Sequence, residues 1–149
     1  MVKKTAYFSH AIRGRKGLNA TAEEMDNNCA IATAVCNWIR QHIPELELYV
    51  PAEHEEFIQI AYLKKWLSEK QILEIDCEIL ERRDLLIVLE IDGWHGGGIS
   101  VEIEHAEKRG IPIYYLSFTG KFKECSLDAL SSILDLRKAV KKRSIKRKG

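Results

Sequence analysis

The chain has little of what staples, anchors or strongly charges a protein. Its cysteines, Cys29, Cys36, Cys77 and Cys125, are scattered and include no C-x-x-C pair, which excludes a disulfide framework. Cys29 and Cys36, one heptad apart, read as the inner face of a helix rather than as reactive thiols. No apolar run approaches the ~18 residues of a membrane span. Val2 to Ser9 leads into a charged loop without a cleavage-like region, so no signal peptide is read and a cytosolic protein is expected. The formal net charge is +1, so no global field directs the chain to nucleic acid or membrane. His10, His42, His54, His95 and His105 show no H-E-x-x-H or related spacing, and no metal or cofactor is expected. There is no G-x-S-x-G elbow, no G-x-G-x-x-G and no Walker sequence, which sets aside serine hydrolysis and the ordinary dinucleotide and nucleoside-triphosphate readings.

What is present is one domain's worth of alternating apolar strands and amphipathic helices. With 149 residues, 46% apolar and 30% charged, the composition is that of a single core. No repeat, linker or second domain interrupts residues 1–140. The end, Lys141-Lys142-Arg143-Ser144-Ile145-Lys146-Arg147-Lys148-Gly149, is a basic block no core can use. It reads as a solvated, disordered tail, with contact to nucleic acid, lipid or another partner as the alternative.

Strands are expected at Thr5–Ser9, Leu46–Val50, from Asp84 to Glu90, and at Ile111–Ser117. Helices are expected over Glu23–Gln41, Glu53–Glu69 with a break near Ser68–Gln71, Ile72–Arg82, Ser100–Arg109 and about Leu127–Lys141. Thr21 with Glu23 and Glu24 marks the start of the first helix, whose stripe is Met25, Cys29, Ala32, Val35, Cys36 and Ile39. Ile72, Ile75, Ile79 and Leu80 are expected to point inward from the third helix. Strands too apolar to be half exposed, separated by helices, imply an α/β fold with a parallel sheet. In such sheets ligands bind beyond the carboxyl ends of the strands, so the loops after Ser9, Val50, Glu90 and Ser117 should converge.

The sharpest candidate lies after the third strand. Ile91-Asp92-Gly93-Trp94-His95-Gly96-Gly97-Gly98 opens a helix on which Ile99, Ile103 and Ala106 pack toward the sheet. Glu102 falls between them in angle, so its carboxylate looks back toward the glycine loop. A plain alternative exists, since acids are favoured early in helices by the dipole. Glycines this dense permit close backbone approach to a ligand or a mobile turn. Asp92, Trp94, Gly96 and Gly98 are candidate substrate contacts, with Trp94 and His95 able to cover a base or sugar or to pack the loop. Asp76, amid Ile75, Cys77 and Ile79, is an acid near an apolar face. Tyr7, Ser9 and the loop Arg13-Gly14-Arg15 leave the sheet edge that Glu102 faces, and arginines beside a glycine turn suit a phosphate.

Tyr7-Phe8-Ser9-His10-Ala11-Ile12-Arg13-Gly14, Asp76, the Asp84 strand, Gly98-x-x-x-Glu102-x-x-x-Ala106 and Gly110-Ile111-Pro112 occur in that order. Together they resemble the nucleoside 2-deoxyribosyltransferase-like superfamily, nearest its 2'-deoxynucleoside 5'-monophosphate N-glycosidases. The likeness covers most of the chain, but Glu53–Gln71 matches poorly. It implies a flavodoxin- or Rossmann-like three-layer sandwich with a five-stranded parallel sheet in order 2-1-3-4-5, assembled as a homodimer or larger. It also implies cleavage of an N-glycosidic bond, by hydrolysis or deoxyribosyl transfer, on a (deoxy)nucleoside or its 5'-monophosphate. Glu102 then matches the nucleophile, Asp76 the acid that orients sugar or protonates the base, and Tyr7 the residue that positions both. Ser9, Arg13 and Gly14 match the phosphate loop. Two positions depart from the pattern: Gly96 replaces a serine and removes a hydroxyl, and His10 replaces a glycine. The competing expectations are a non-catalytic nucleotide-binding or signalling module, an enzyme that cleaves NAD or a nucleotide sugar, and a purely structural α/β protein.

Overall fold

The computed structural model describes residues 4–11, 19–91, 93, 96–118 and 138. They alternate as β1 (Lys4–Ser9), α1 (Ala22–His42), β2 (Leu46–Tyr49), a 3-10 turn (Pro51–His54), α2 (Glu55–Leu63), α3 (Glu69–Glu81), β3 (Leu85–Ile91), α4 (Gly97–Arg109) and β4 (Ile113–Phe118). The strands form one parallel sheet in the order β2-β1-β3-β4. This confirms the α/β class and the first four positions of the expected order. The described residues hold four strands, not five; the fifth rested on the resemblance, because the sequence itself offered no fifth apolar run. The helix expected over Leu127–Lys141 and the basic tail lie outside the described residues, except that Lys138 is helical and exposed.

Alternation along the strands sends side chains to two cores. Ala6, Phe8, Leu85, Ile87 and Leu89 face α1, where Ile31, Ala32, Cys36 and Ile39 are buried. Tyr7, Leu86 and Val88 face α3 and α4, meeting Leu80, Ile99 and Ala106. Helices therefore cover both sides of the sheet, and β3, buried from Leu85 to Leu89, reads as a continuous apolar run for that reason. Each fully buried aliphatic side chain of this kind contributes about 1.5–3 kcal/mol.

At the amino ends of the strands, β1 and β3 are clamped together. The Thr5 N–H donates to Asp84 Oδ2 at 2.8 Å and the Asp84 N–H donates to the Thr5 carbonyl at 2.9 Å. The clamp fixes the register Ala6↔Leu85 through Ser9↔Val88. At the carboxyl ends the chain reverses direction across the sheet: it moves from β1 out to β2, then returns to β3 on β1's other side. The crevice between β1 and β3 is the topological switch point, where open α/β sheets bind ligands.

The helix ends follow local chemistry. Thr21 caps α1 in a full capping box with Glu24, as its sequence predicts. Ser68 and Gln71 do the same for α3, which corrects the break expected at Ser68–Gln71. The interruption lies at 64–67, and Ser68 begins the next helix. It is caused by Lys65, which adopts a left-handed φ of 61°. The Trp66 N–H then reaches the Ala61 carbonyl and the Lys65 N–H the Tyr62 carbonyl, a Schellman termination. The end of α4 repeats these bonds with Gly110 at φ 68° and Ile111 bonded to Ala106. Ile75, expected inside, is exposed on α3, because the helix turns Leu80 and Ile79 to the sheet and leaves Ile75 at the edge of that face. No helix among the described residues is long and apolar enough to cross a membrane.

Candidate functional site

The switch-point crevice is built from β1 and α4. Tyr7 and Ser9, two residues apart on one strand, share a face and point to α4. α4 begins at Gly97, three residues earlier than expected, with Gly96 as a cap that has extended backbone and no side-chain bond. Ser100 turns its hydroxyl back to the Gly96 carbonyl at 3.2 Å. Glu102 consequently sits in the second turn, beyond the strongest reach of the dipole, so a first-turn preference does not account for it.

Glu102 is 7% exposed and Ser9 1%. The Ser9 hydroxyl donates to Glu102 Oε1 at 2.9 Å. Glu102 Oε2 and the Tyr7 hydroxyl are both shielded from solvent, and neither completes a well-formed hydrogen bond. The phenol is nonetheless close enough to draw the carboxyl's proton affinity down, as Ser9 does. Burial outweighs both and, with the nearby Asp76 charge, pushes Glu102 up to about 7. Burial pushes the Tyr7 phenol far above its usual value, helped by Glu102 and Asp76. An unpaired buried carboxylate oxygen is costly and rare in native proteins.

Asp76 lies half-buried on α3, and burial followed by the charge of Glu55 raises it to about 6. Glu55 was not anticipated. It opens α2, is held by Gln59 Nε2 at 2.9 Å, and acts electrostatically on His10 and Cys29 as well as Asp76. Tyr49 and His54 were also missed: their rings stack at 5.0 Å, and Tyr49 lies 5.6 Å from Tyr7. The available signal was positional, since all three sit at or after the carboxyl end of β2, where a ligand loop is expected. His10 Nδ1 is buried without a well-formed hydrogen bond, and burial lowers its proton affinity against the opposing pulls of the Ala11 backbone and the Glu55 charge.

Of the expected site residues, Glu102, Tyr7 and Ser9 are thus brought together, with Asp76 in electrostatic reach of the first two. Ser9 spends its hydroxyl on the carboxylate rather than holding it open for a phosphate. Gly96 leaves the amino end of α4 without a side-chain cap. Gly98 is exposed, and an added Cβ would meet only Leu73, at an ordinary 4.0 Å. Gly93 does need its identity, having φ 73°. Arg13, Gly14, Arg15, Asp92 and Trp94 lie outside the described residues. Among the described residues no group of three His, Cys, Asp or Glu side chains is arranged to hold a metal ion.

No family model matches the chain, and no curated protein matches it. Among solved structures, it is similar to a conserved protein from Enterococcus faecalis V583, with TM-score 0.57 and 21% identity over 92% of this chain and 87% of that one. That likeness is one of fold. An oxidoreductase from Corynebacterium diphtheriae aligns over 94% of both chains at 13% identity, with a TM-score of 0.41, too loose a superposition to bear on chemistry.

Proposed function

We propose that the protein cleaves, or transfers the sugar across, the N-glycosidic bond of a (deoxy)nucleoside 5'-monophosphate, with Glu102 as nucleophile. The observation that carries this reading is the buried Glu102 carboxylate, with one oxygen held by Ser9 and the other beside Tyr7 without a well-formed hydrogen bond. The sequence resemblance supplies the substrate class. In the first step a Glu102 oxygen bonds to the anomeric carbon as the C–N bond breaks. The bond's electron pair leaves with the base, whose nitrogen takes the proton of Asp76. Water, or a nitrogen of a second base, then displaces Glu102 from the anomeric carbon and gives its proton to Asp76. Two displacements retain the anomeric configuration.

The reactive form, Glu102 ionised with Asp76 protonated, is the minority arrangement of the pair near neutrality, and the sugar's positive charge is what draws the pair into it. Asp76, at about 6, carries a usable proton near neutrality, as a general acid must. Glu102, at about 7, is partly ionised there, and the sugar's developing positive charge favours its anionic form further. The sequence assigns the 5'-phosphate to the Arg13-Gly14-Arg15 segment, whose arginines suit a phosphate. Asp92, Trp94, Gly96 and Gly98 remain the sequence's candidates for contacts to the sugar and base.

The test is base release from a panel of deoxynucleosides and their 5'-monophosphates by wild type and Glu102→Gln. Release by wild type that is lost in the variant supports the assignment; equal rates would overturn it. Tight nucleotide binding with no release by either protein would favour the non-catalytic binding module.

A further inference from the structure

Building on the glycosidase reading, we infer that His105, acting through Glu81, is a positioning residue: it fixes how α4, which carries Glu102, stands against α3, which carries Asp76. The two carboxyls come from different helices. α3 leads into β3 and α4 leaves it, and both cover the same side of the sheet, so they run alongside one another against the strands. Apolar side chains from both meet in one core. Burial of that kind is non-directional. It holds the helices together without fixing how one slides or turns against the other, which takes a directional bond.

Glu102, His105 and Arg109 stand at i, i+3 and i+7 and share one stripe of α4. Opposite it on α3, Cys77 and Glu81 stand at i and i+4. Glu81 Oε1 lies 2.7 Å from His105 Nε2 and 3.1 Å from an Arg109 guanidinium nitrogen. A carboxylate can only accept, so the imidazole donates. The tie is near the chemistry: along the helix axes His105 is about 4.5 Å from Glu102, and Glu81 about 7.5 Å from Asp76. Burial, then the charges of Glu102, Asp76 and Glu81, push the Cys77 thiol up, so this seam lies within electrostatic reach of both carboxyls.

The bland explanation is a surface ion pair. It fits the Arg109 contact, because that side chain is 60% exposed and the end of α4 favours a cation in any case. It does not fit Glu81 and His105, which are 33% and 23% exposed. Glu81 is also the last residue of α3, a helix with no basic residue in its last turn. The dipole repels an acid there, and the donors of α4 account for its place. Magnitudes show where the tie matters. A partly exposed pair adds little to stability, whereas a misplacement of about 1 Å in an active site can slow a reaction about 10²-fold.

The experiment compares wild type, His105→Ala and His105→Gln, whose side-chain amide can still donate to Glu81. Turnover is read as base release. Protonation of Glu102 is read from its carboxyl carbon by NMR across pH, the signal being identified by its loss in Glu102→Gln. His105→Ala should lower kcat at least about tenfold while KM changes less than about threefold. Its Glu102 midpoint should fall by about half a pH unit or more, as water enters between the helices. Loss of a positive charge alone would move the midpoint up, so the sign separates displacement from electrostatics. His105→Gln should restore both readouts. An unmoved or raised midpoint in His105→Ala overturns the proposal, as does an unchanged kcat in an active enzyme or a failure of His105→Gln to rescue. A wild type that releases no base overturns the glycosidase reading instead, and the titration then decides the positioning role alone. If His105→Ala does not fold, His105→Phe, which keeps the ring's bulk and removes its nitrogens, takes its place.

Discussion

Two regions of the molecule break the rule of apolar inside and polar outside, in opposite senses. At the switch point, a carboxylate oxygen and a phenol are buried without good partners. On α2, aromatic and aliphatic side chains stand in water. Both arrangements cost free energy in the isolated chain, by desolvation in the first and by unburied apolar surface in the second. Neither cost is recovered among the described residues. The two regions meet at the first turn of α2, where Glu55 acts on Asp76 and His10 while Phe57, two residues on, faces outward.

The largest effect that would sharpen this contrast is chemical. Glu102→Gln should reduce turnover by at least about 10³-fold while nucleotide affinity changes little, measured by base release and by calorimetry. The same substitution should stabilise the fold, because a buried unpaired charge is removed. The sign follows from the raised value. Glu102 titrates near 4.5 unfolded and about 7 folded, so the native state binds more protons and wild-type stability falls as pH rises from 4.5 through 7. The variant's advantage should therefore be nearly absent at pH 4 and reach on the order of 3 kcal/mol at pH 8, read by urea unfolding at both values. An advantage that does not grow with pH would mean that the carboxylate is not strained by burial.

Asp76→Asn should cost about 10²-fold in kcat/KM. The wild-type profile should be a narrow bell with apparent values near 6 and 7, which belong to the interacting pair rather than to single residues. The variant should keep the acid limb, where the nucleophile gains its proton, and lose the alkaline one. A smaller effect compares the two helix ends that share one backbone motif. Lys65→Gly should raise stability by about 1 kcal/mol, as the left-handed residue loses its Cβ. Gly110→Ala should lower it by a similar amount. Differential scanning calorimetry separates the two. Smallest is Phe57→Ser on the stability of the monomer, within about 0.5 kcal/mol. A loss of 2 kcal/mol or more would mean that the ring is packed within its own chain, and the contrast would fail.

Much of this was legible in the residues. The run from Leu85 to Leu89 could only be a strand covered on both sides, and Thr21 with Glu24 announced a cap. Glu102 stood out because Ile99, Ile103 and Ala106 fix its angle on the helix. Other features were hidden for physical reasons. The stretch Phe57-Ile58-Gln59-Ile60-Ala61-Tyr62-Leu63 is apolar nearly all round, so periodicity cannot say which side is buried, and only tertiary packing turns Ala61 inward. Lys65 gives no warning of a left-handed turn, since glycine usually holds that place; the break was therefore expected where Ser68 and Gln71 offer polar signals. Glu55 lay in the stretch where the resemblance is weakest, and its reach toward Asp76 depends on how α2 and α3 pack.

One contact remote from the crevice governs it. Thr5 and Asp84 join β1 to β3 at the end of the sheet opposite Glu102, four residues or roughly 13 Å of strand before Ser9. Side chains on a strand alternate, so a slip of one residue between β1 and β3 would send Tyr7 and Ser9 to α1 and present Phe8 to Glu102. Thr5 and Asp84 thus act as a phase lock. They touch no reacting atom, yet they decide whether the carboxylate meets a hydroxyl or a hydrocarbon.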